Sequence, residues 1–165
     1  QMDAMIAQVL DFQRAAEPGV AEPVDVMQLL ATLCGELATA DEALPVSGRA
    51  APIPGNPLLL QRCLQNLLEN ALRYARAIEV VVTRKEQGVA IRIEDRGPGI
   101  EPALLERITE PFVRGETSRN ARSGGYGLGL SIASRIALAH GGTLNLENRE
   151  GGGLTVELWL PAGNT

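Results

Sequence analysis

Apolar residues recur at two spacings along this chain, and the switches between them mark out helices and strands. Over residues 3–15, Met5, Ile6, Val9, Leu10 and Phe12 fall at helical spacing, and Glu17-Pro18-Gly19 ends the run. Residues 20–24 read as short and extended, because Pro23 breaks any helix there. Met27, Leu29, Leu30, Leu33, Cys34 and Leu37 predict a second helix over 25–39. Residues 43–55, with prolines at 45, 52 and 54, read as strand and turn. A third helix is expected over 56–75, capped by Asn56, with Pro57 in the first turn, where its missing N–H costs nothing.

The pattern then changes to strands. Residues 78–84 are β-branched, and 89–94 alternate, with a hairpin expected at Gln87-Gly88. A short helix over 101–109 follows Gly99, and residues 113–127 have no periodicity and read as a loop. A last helix over 128–140 is stopped by Gly141-Gly142, and strands at 143–148 and 154–160 close the chain before Pro161. The strand pairs are hairpins rather than βαβ crossovers. The fold class this implies is a two-layer α/β sandwich: a mixed, mainly antiparallel sheet with helices on one face.

Composition narrows the picture. A chain of 165 residues with 45% hydrophobic and 21% charged residues suits one ordinary globular domain. Aromatics are only 3%, so the core must be built from Leu, Ile, Val and Ala. A net charge of −5 argues against binding to nucleic acid. No apolar run approaches the ~20 residues that span a bilayer, and no signal peptide is visible. The chain opens on Gln1, so we expect a piece of a longer protein. Cys34 and Cys63 sit among leucines without metal-site spacing and read as buried thiols.

Three segments carry candidate chemistry. On the 56–75 helix, Leu60, Leu64, Leu67, Leu68 and Leu72 form the core stripe, and Asn66, Asn70, Arg73 and Tyr74 fall on a neighbouring one. An amide oxygen there suits Mg²⁺, a guanidinium suits phosphate, and a phenol ring packs on a base. At the end of an apolar strand stands Asp95-Arg96-Gly97-Pro98-Gly99-Ile100. Its carboxylate suits an exocyclic amine, and its glycines let backbone come close. Third, Gly124-Gly125-Tyr126-Gly127-Leu128-Gly129-Leu130 runs into a helix N-terminus, a site for anions. The preceding loop carries Arg114, Arg119 and Arg122 against Glu116. The glycine pattern lacks the Lys-Ser/Thr ending of a phosphate-binding P-loop, and no βαβ unit surrounds it. Each segment also has an ordinary reading, as a solvated helix face, a turn or a flexible loop.

Taken in order, the Asn70 helix, Asp95-x-Gly97-x-Gly99, Glu110-Pro111-Phe112 and Gly125-x-Gly127-x-Gly129-Leu130 resemble the N, G1, F and G2 boxes of sensor histidine kinases. Those kinases share a superfamily with gyrase, the MutL repair ATPases and the ninety-kilodalton heat-shock chaperone. Pro111-Phe112-Val113-Arg114-Gly115, before an arginine-bearing lid, looks like the EnvZ class of osmosensors. The resemblance covers about 56–161.

It implies ATP and Mg²⁺ as cofactors, with Asn70 as metal ligand and Asn66 supporting it. Asn70 and Arg73 would carry the transfer chemistry, Arg73 and Arg114 would meet phosphate, and Tyr74 would pack near the adenine. Asp95 would bind the adenine amine in a pocket shaped by Gly97, Gly99 and Ile100, helped by Thr155. Gly125, Gly127 and Gly129 would hinge the lid, Leu128 and Leu130 would line the site, and Phe112 would anchor the lid base. Residues 1–17 look like the end of a dimerisation and histidine-phosphotransfer helix, leaving 18–165 as the catalytic domain.

The function implied is transfer of the ATP γ-phosphate to a histidine on a helical hairpin outside this segment. Implied partners are that hairpin, a response regulator and a second copy in the full-length protein. The implied location is the cytoplasmic side of an inner-membrane sensor. Tyr126 departs from the family's small residue, and the phosphoacceptor histidine box is absent. The one histidine, His140, reads as a helix-end residue suited to the terminal dipole. Gyrase-type relatives carry a general-base glutamate four residues before the metal asparagine. Asn66 stands there, and Glu69 lies about 100° round the helix from Asn70, so slow hydrolysis is expected.

Overall fold

A computed structural model of the chain describes residues 10, 19, 21–40, 42–105 and 129–163. Asp25 starts the first described helix, α1 (Val26–Leu37), by accepting the Gln28 N–H at 3.1 Å. Asn56 does the same for α2 (Pro57–Tyr74), accepting the Leu59 N–H at 3.1 Å, with Pro57 at the first position. α2 stops at Ala75, and Ala77 follows at φ +54°. The remaining helices are α3 (Pro102–Leu105) and α4 (Gly129–Ala139). The expected helix over 3–15, the boundary at 17/18 and residues 106–128 lie outside the described residues, apart from Leu10.

The segment 43–55 yields two strands that go to different sheets. β3 (Ile53–Gly55) pairs antiparallel with β1 (Glu22–Val24). β2 (Val46–Gly48) runs parallel to β4 (Glu79–Lys85). The main sheet has the order β2-β4-β5-β7-β6, completed by β5 (Gly88–Glu94), β6 (Thr143–Asn148) and β7 (Leu154–Pro161). All its other pairings are antiparallel. This is the mixed, mainly antiparallel sheet that the hairpins predict.

One detail of the first hairpin differs from expectation. The turn residues are Glu86 and Gln87, at φ +47° and +59°, and Gly88 already pairs with Lys85 and Pro161 inside β5. The glycine is needed there rather than at the turn. A Cβ on Gly88 would lie 2.7 Å from the Trp159 ring and would overlap the Leu160 carbonyl. Trp159 holds its place across this point by donating Nε1–H to the Lys85 carbonyl at 2.8 Å.

Strand alternation separates the two faces of the sheet. Val89, Ile91 and Ile93 on β5, and Leu154, Val156, Leu158 and Leu160 on β7, are buried beneath the helices. They join Leu60, Leu64, Leu67 and Leu68 of α2 and Ile132, Ala133 and Ile136 of α4 in one core. The other face carries polar residues, among them the pairs Lys85–Glu157 and Arg92–Glu94, each at 3.0 Å. Exposed pairs of this kind contribute at most about 1 kcal/mol each. Burial of apolar surface under α2 and α4 therefore dominates the stability of the sandwich.

Candidate functional site

The polar edge of α2 lies beside its leucine stripe. Asn66 and Asn70 are half-buried, one turn apart, and Arg73 is exposed. Asn66 donates from Nδ2 to the carbonyl of Gly129, the first residue of α4, at 3.4 Å. Tyr74 closes the helix, and its side chain lies outside the described residues.

The end of α2 meets the second segment. The Arg96 N–H donates to the Arg76 carbonyl at 3.1 Å, which fixes the 95–100 loop against the residues that follow α2. Asp95 continues the inward row of β5, and its side chain is 4% exposed. Its Oδ1 accepts from Gly97 N at 2.9 Å and from Leu154 N at 3.1 Å. Gly99 has φ +76°, where a side chain would be strained, and a Cβ there would lie 2.6 Å from Asn148 Oδ1. Ile100 packs half-buried against the core.

Thr155 is not brought to Asp95. It pairs with Glu94 and Glu147 and belongs to the outward row of β7, with Glu157 and Trp159. Asp95 and Leu154 belong to the inward row, so the residue that reaches the carboxylate is Leu154, through its backbone. The expectation for Thr155 was one residue out of phase.

The third segment is described only from Gly129 onward. Gly129 begins α4, and Leu130 is 8% exposed within the core. Phe112, Arg114, Gly125, Tyr126, Gly127 and Leu128 lie outside the described residues. The structure ties both segments to α2 or to the residues just after it. Asn66 holds the start of α4, Arg76 holds the Asp95 loop, and Asn70 and Arg73 lie between them on α2. Asn66 and Tyr74 are about 12 Å apart along the axis at 1.5 Å per residue.

His140 stands at the far end of α4. The Asn56 N–H donates to its Nε2 at 3.1 Å, and its Nδ1 lies 2.8 Å from the Ile136 carbonyl. An N–H can only donate and a carbonyl can only accept, so the ring is neutral with its proton on Nδ1. It is a helix-end residue, as expected, but a neutral strut rather than a cation on the dipole. Gly55 makes room for it, since a Cβ there would lie 3.0 Å from the ring. Both cysteines are buried thiols, and burial raises both pKa values, that of Cys63 to about 12. Cys63 donates to the Ala133 carbonyl at 3.5 Å.

Several residues that build the site carry no local signal. Asn148, which ends β6, and Arg149 and Gly153 in the turn to β7 all touch the 95–100 loop. In the sequence Asn148 reads as the end of a strand, and Arg149 and Gly153 fall between two strands.

Known proteins match this arrangement. The chain is 45% identical over 141 residues to the sensor histidine kinase GtrS of Pseudomonas aeruginosa, covering 85% of this chain and 29% of that protein. It is 35% identical over 170 residues to the sensor histidine kinase CpxA of Escherichia coli, covering 98% of this chain and 37% of that one. It thus spans about a third of the length of these curated relatives. Among solved structures, full-length ShkA in complex with AMPPNP superposes with a TM-score of 0.81 at 24% identity, over 98% of this chain and 36% of that one, which establishes the shared fold. The model for the histidine kinase-, DNA gyrase B- and HSP90-like ATPases matches residues 55–164, from the last residue of β3 to just past the end of β7, and the chain belongs to that family.

Proposed function

We propose that this chain is the ATP-binding catalytic domain of a two-component sensor histidine kinase. It passes the ATP γ-phosphate to a histidine on a helical hairpin, and a response regulator takes the phosphoryl group onward. Residues 18–165 form this domain, and 1–17 belong to the end of the hairpin. In the full-length protein, a membrane-borne homodimer, the domain works on the cytoplasmic side. No helix among the described residues is long and apolar enough to cross a membrane.

The observation that carries the reading is the attachment of both segments at α2 and the residues just after it. The start of α4 is bonded to Asn66 on the polar edge of α2, and the loop carrying the Asp95 carboxylate, with two backbone donors on Oδ1, is bonded to Arg76 just past the end of that helix. In this reading Asp95 accepts the adenine amine through its other carboxylate oxygen. Gly97, Gly99 and Ile100 shape the base pocket, with Tyr74 and Leu130 against the base. Asn70, Arg73, Arg114 and the start of α4 with Gly125, Gly127, Leu128 and Gly129 meet the phosphates.

The donor set fits magnesium in one particular way. Among the described residues no cluster of three or more His, Cys, Asp or Glu could hold a metal ion. Asn70 would supply one oxygen, with phosphates and water completing the shell, as Mg²⁺ prefers. The ion would supply charge neutralisation on the phosphates, and the residues of this chain position and shield them.

Two features separate a kinase from a hydrolase of the same family. Asn66 replaces a general-base carboxylate and donates its amide to Gly129. His140, with both ring nitrogens engaged, is not a phosphoacceptor. The test is calorimetry with a nonhydrolysable ATP analogue, with and without Mg²⁺, followed by phosphotransfer to a supplied histidine hairpin. Mg²⁺-dependent binding and transfer with negligible hydrolysis are expected. Steady ATP hydrolysis without any hairpin would overturn the kinase reading.

A further inference from the structure

We infer that the β6–β7 turn sets base selectivity, with Asn148 and Arg149 as positioning residues that hold the 95–100 loop in the geometry that presents the Asp95 carboxylate. The inference rests on the nucleotide-binding reading above. Asp95 is held at three points, by Arg149 of this turn and by Leu154 at the start of β7. Its N–H donates to the Leu154 carbonyl at 3.0 Å, its carbonyl accepts from Arg149 Nη1 at 3.0 Å, and its Oδ1 accepts from Leu154 N at 3.1 Å. Within its own loop the carboxylate has the Gly97 N–H.

The other end of the loop is clamped by the same turn. Asn148 Oδ1 accepts the Ile100 N–H at 2.9 Å, and Asn148 Nδ2 donates to the Ile100 carbonyl at 2.7 Å. This is a paired grip of a side-chain amide on both backbone polar groups of one residue, next to Gly99 at φ +76°. The turn itself comes close enough to do this only because Gly153 has no side chain. It sits at φ +107°, and a Cβ there would overlap the Asp95 carbonyl. Its own carbonyl accepts the Arg149 N–H at 2.9 Å.

Asn148 is exposed and Arg149 half-exposed, so neither is a core residue. Their bonds go to backbone at the two ends of the loop that carries the recognition carboxylate. That position matters chemically. Adenine offers an amine to a carboxylate where guanine offers a carbonyl, and two acceptors facing each other repel. Discrimination of this kind depends on the acceptor staying in place, because a carboxylate free to swing away relieves the repulsion.

The experiment measures affinity for nonhydrolysable ATP and GTP analogues in the wild type, Arg149→Met, Asn148→Ala and Asp95→Asn, with a thermal unfolding curve for each. Arg149→Met, which removes the donor, and Asn148→Ala are each expected to cut the ATP-to-GTP preference at least fivefold. Arg149→Lys, which retains a donor for the Asp95 carbonyl, should recover most of it. If Asn148→Ala does not fold, Asn148→Ser carries the same expectation. Turn variants that unfold at lower temperature yet keep the wild-type preference would overturn the inference and leave the nucleotide reading intact. A wild type without preference, or an Asp95→Asn variant that keeps it, would remove the base-reading role of Asp95 and the inference with it.

Discussion

The two halves of α2 share a leucine stripe but are finished differently. At the Asn56 end every element is a fixture: a side-chain cap, a proline in the first turn, and the His140 ring bridging to the last turn of α4. At the Asn66–Arg73 end the edge is polar and half-open, and its cross-link to α4 is a long 3.4 Å bond from an amide. One end closes its hydrogen bonds within the chain, and the other keeps polar groups at the surface. The proposed site, which must release its ligand, lies at the second. The contrast predicts that damage at the first end appears as lost stability, and damage at the second as lost binding.

The largest expected effect lies on the shared stripe. Leu68 is fully buried, so Leu68→Ala should cost about 3 kcal/mol in denaturant unfolding. Asn70→Ala should leave the unfolding curve nearly unchanged and weaken Mg²⁺-dependent ATP-analogue binding about a hundredfold, or about 2.7 kcal/mol. Equal losses of stability and binding would erase the contrast. His140→Ala should do the opposite, removing about 1–2 kcal/mol of stability because the Asn56 N–H and Ile136 carbonyl lose their shared partner. The affinity of its folded fraction should stay within a few-fold of wild type.

A smaller effect depends on pH. Burial holds the Cys63 pKa at about 12, against an ordinary value of 9.0. The unfolded chain therefore ionises first, and the stabilising contribution is complete below pH 9 and is lost as pH climbs toward 12. The stability gap between wild type and Cys63→Ala should shrink over that window. Smallest of all, replacing Glu86-Gln87 with Asn-Gly should raise stability by up to about 1 kcal/mol, since both positions have positive φ.

What could be read from the chain was local. Asn56-Pro57 announces the start of α2, and the alternation at 89–94 announces a strand with its inner face at Val89, Ile91 and Ile93. The order of the nucleotide motifs was legible because each is a short run of backbone-limited residues. The errors arose where geometry is set from across the molecule. Gly88 looks like a turn glycine, yet it is required by an indole 71 residues away. Thr155 has suitable chemistry on the wrong face, because a strand's phase is fixed by its partners and one residue reverses it. The grip of Asn148 on Ile100 spans 48 residues and that of His140 on Asn56 spans 84, and neither leaves a periodic trace.

The imidazole strut between α4 and α2 has a practical consequence. It belongs to the only histidine in the chain, so its ring resonances need no selective labelling to be assigned. One pair of ring nitrogen signals, one protonated and one accepting, would report whether the two helices stay in register as ligand enters at the opposite pole. The protein carries its own strain gauge in a single side chain.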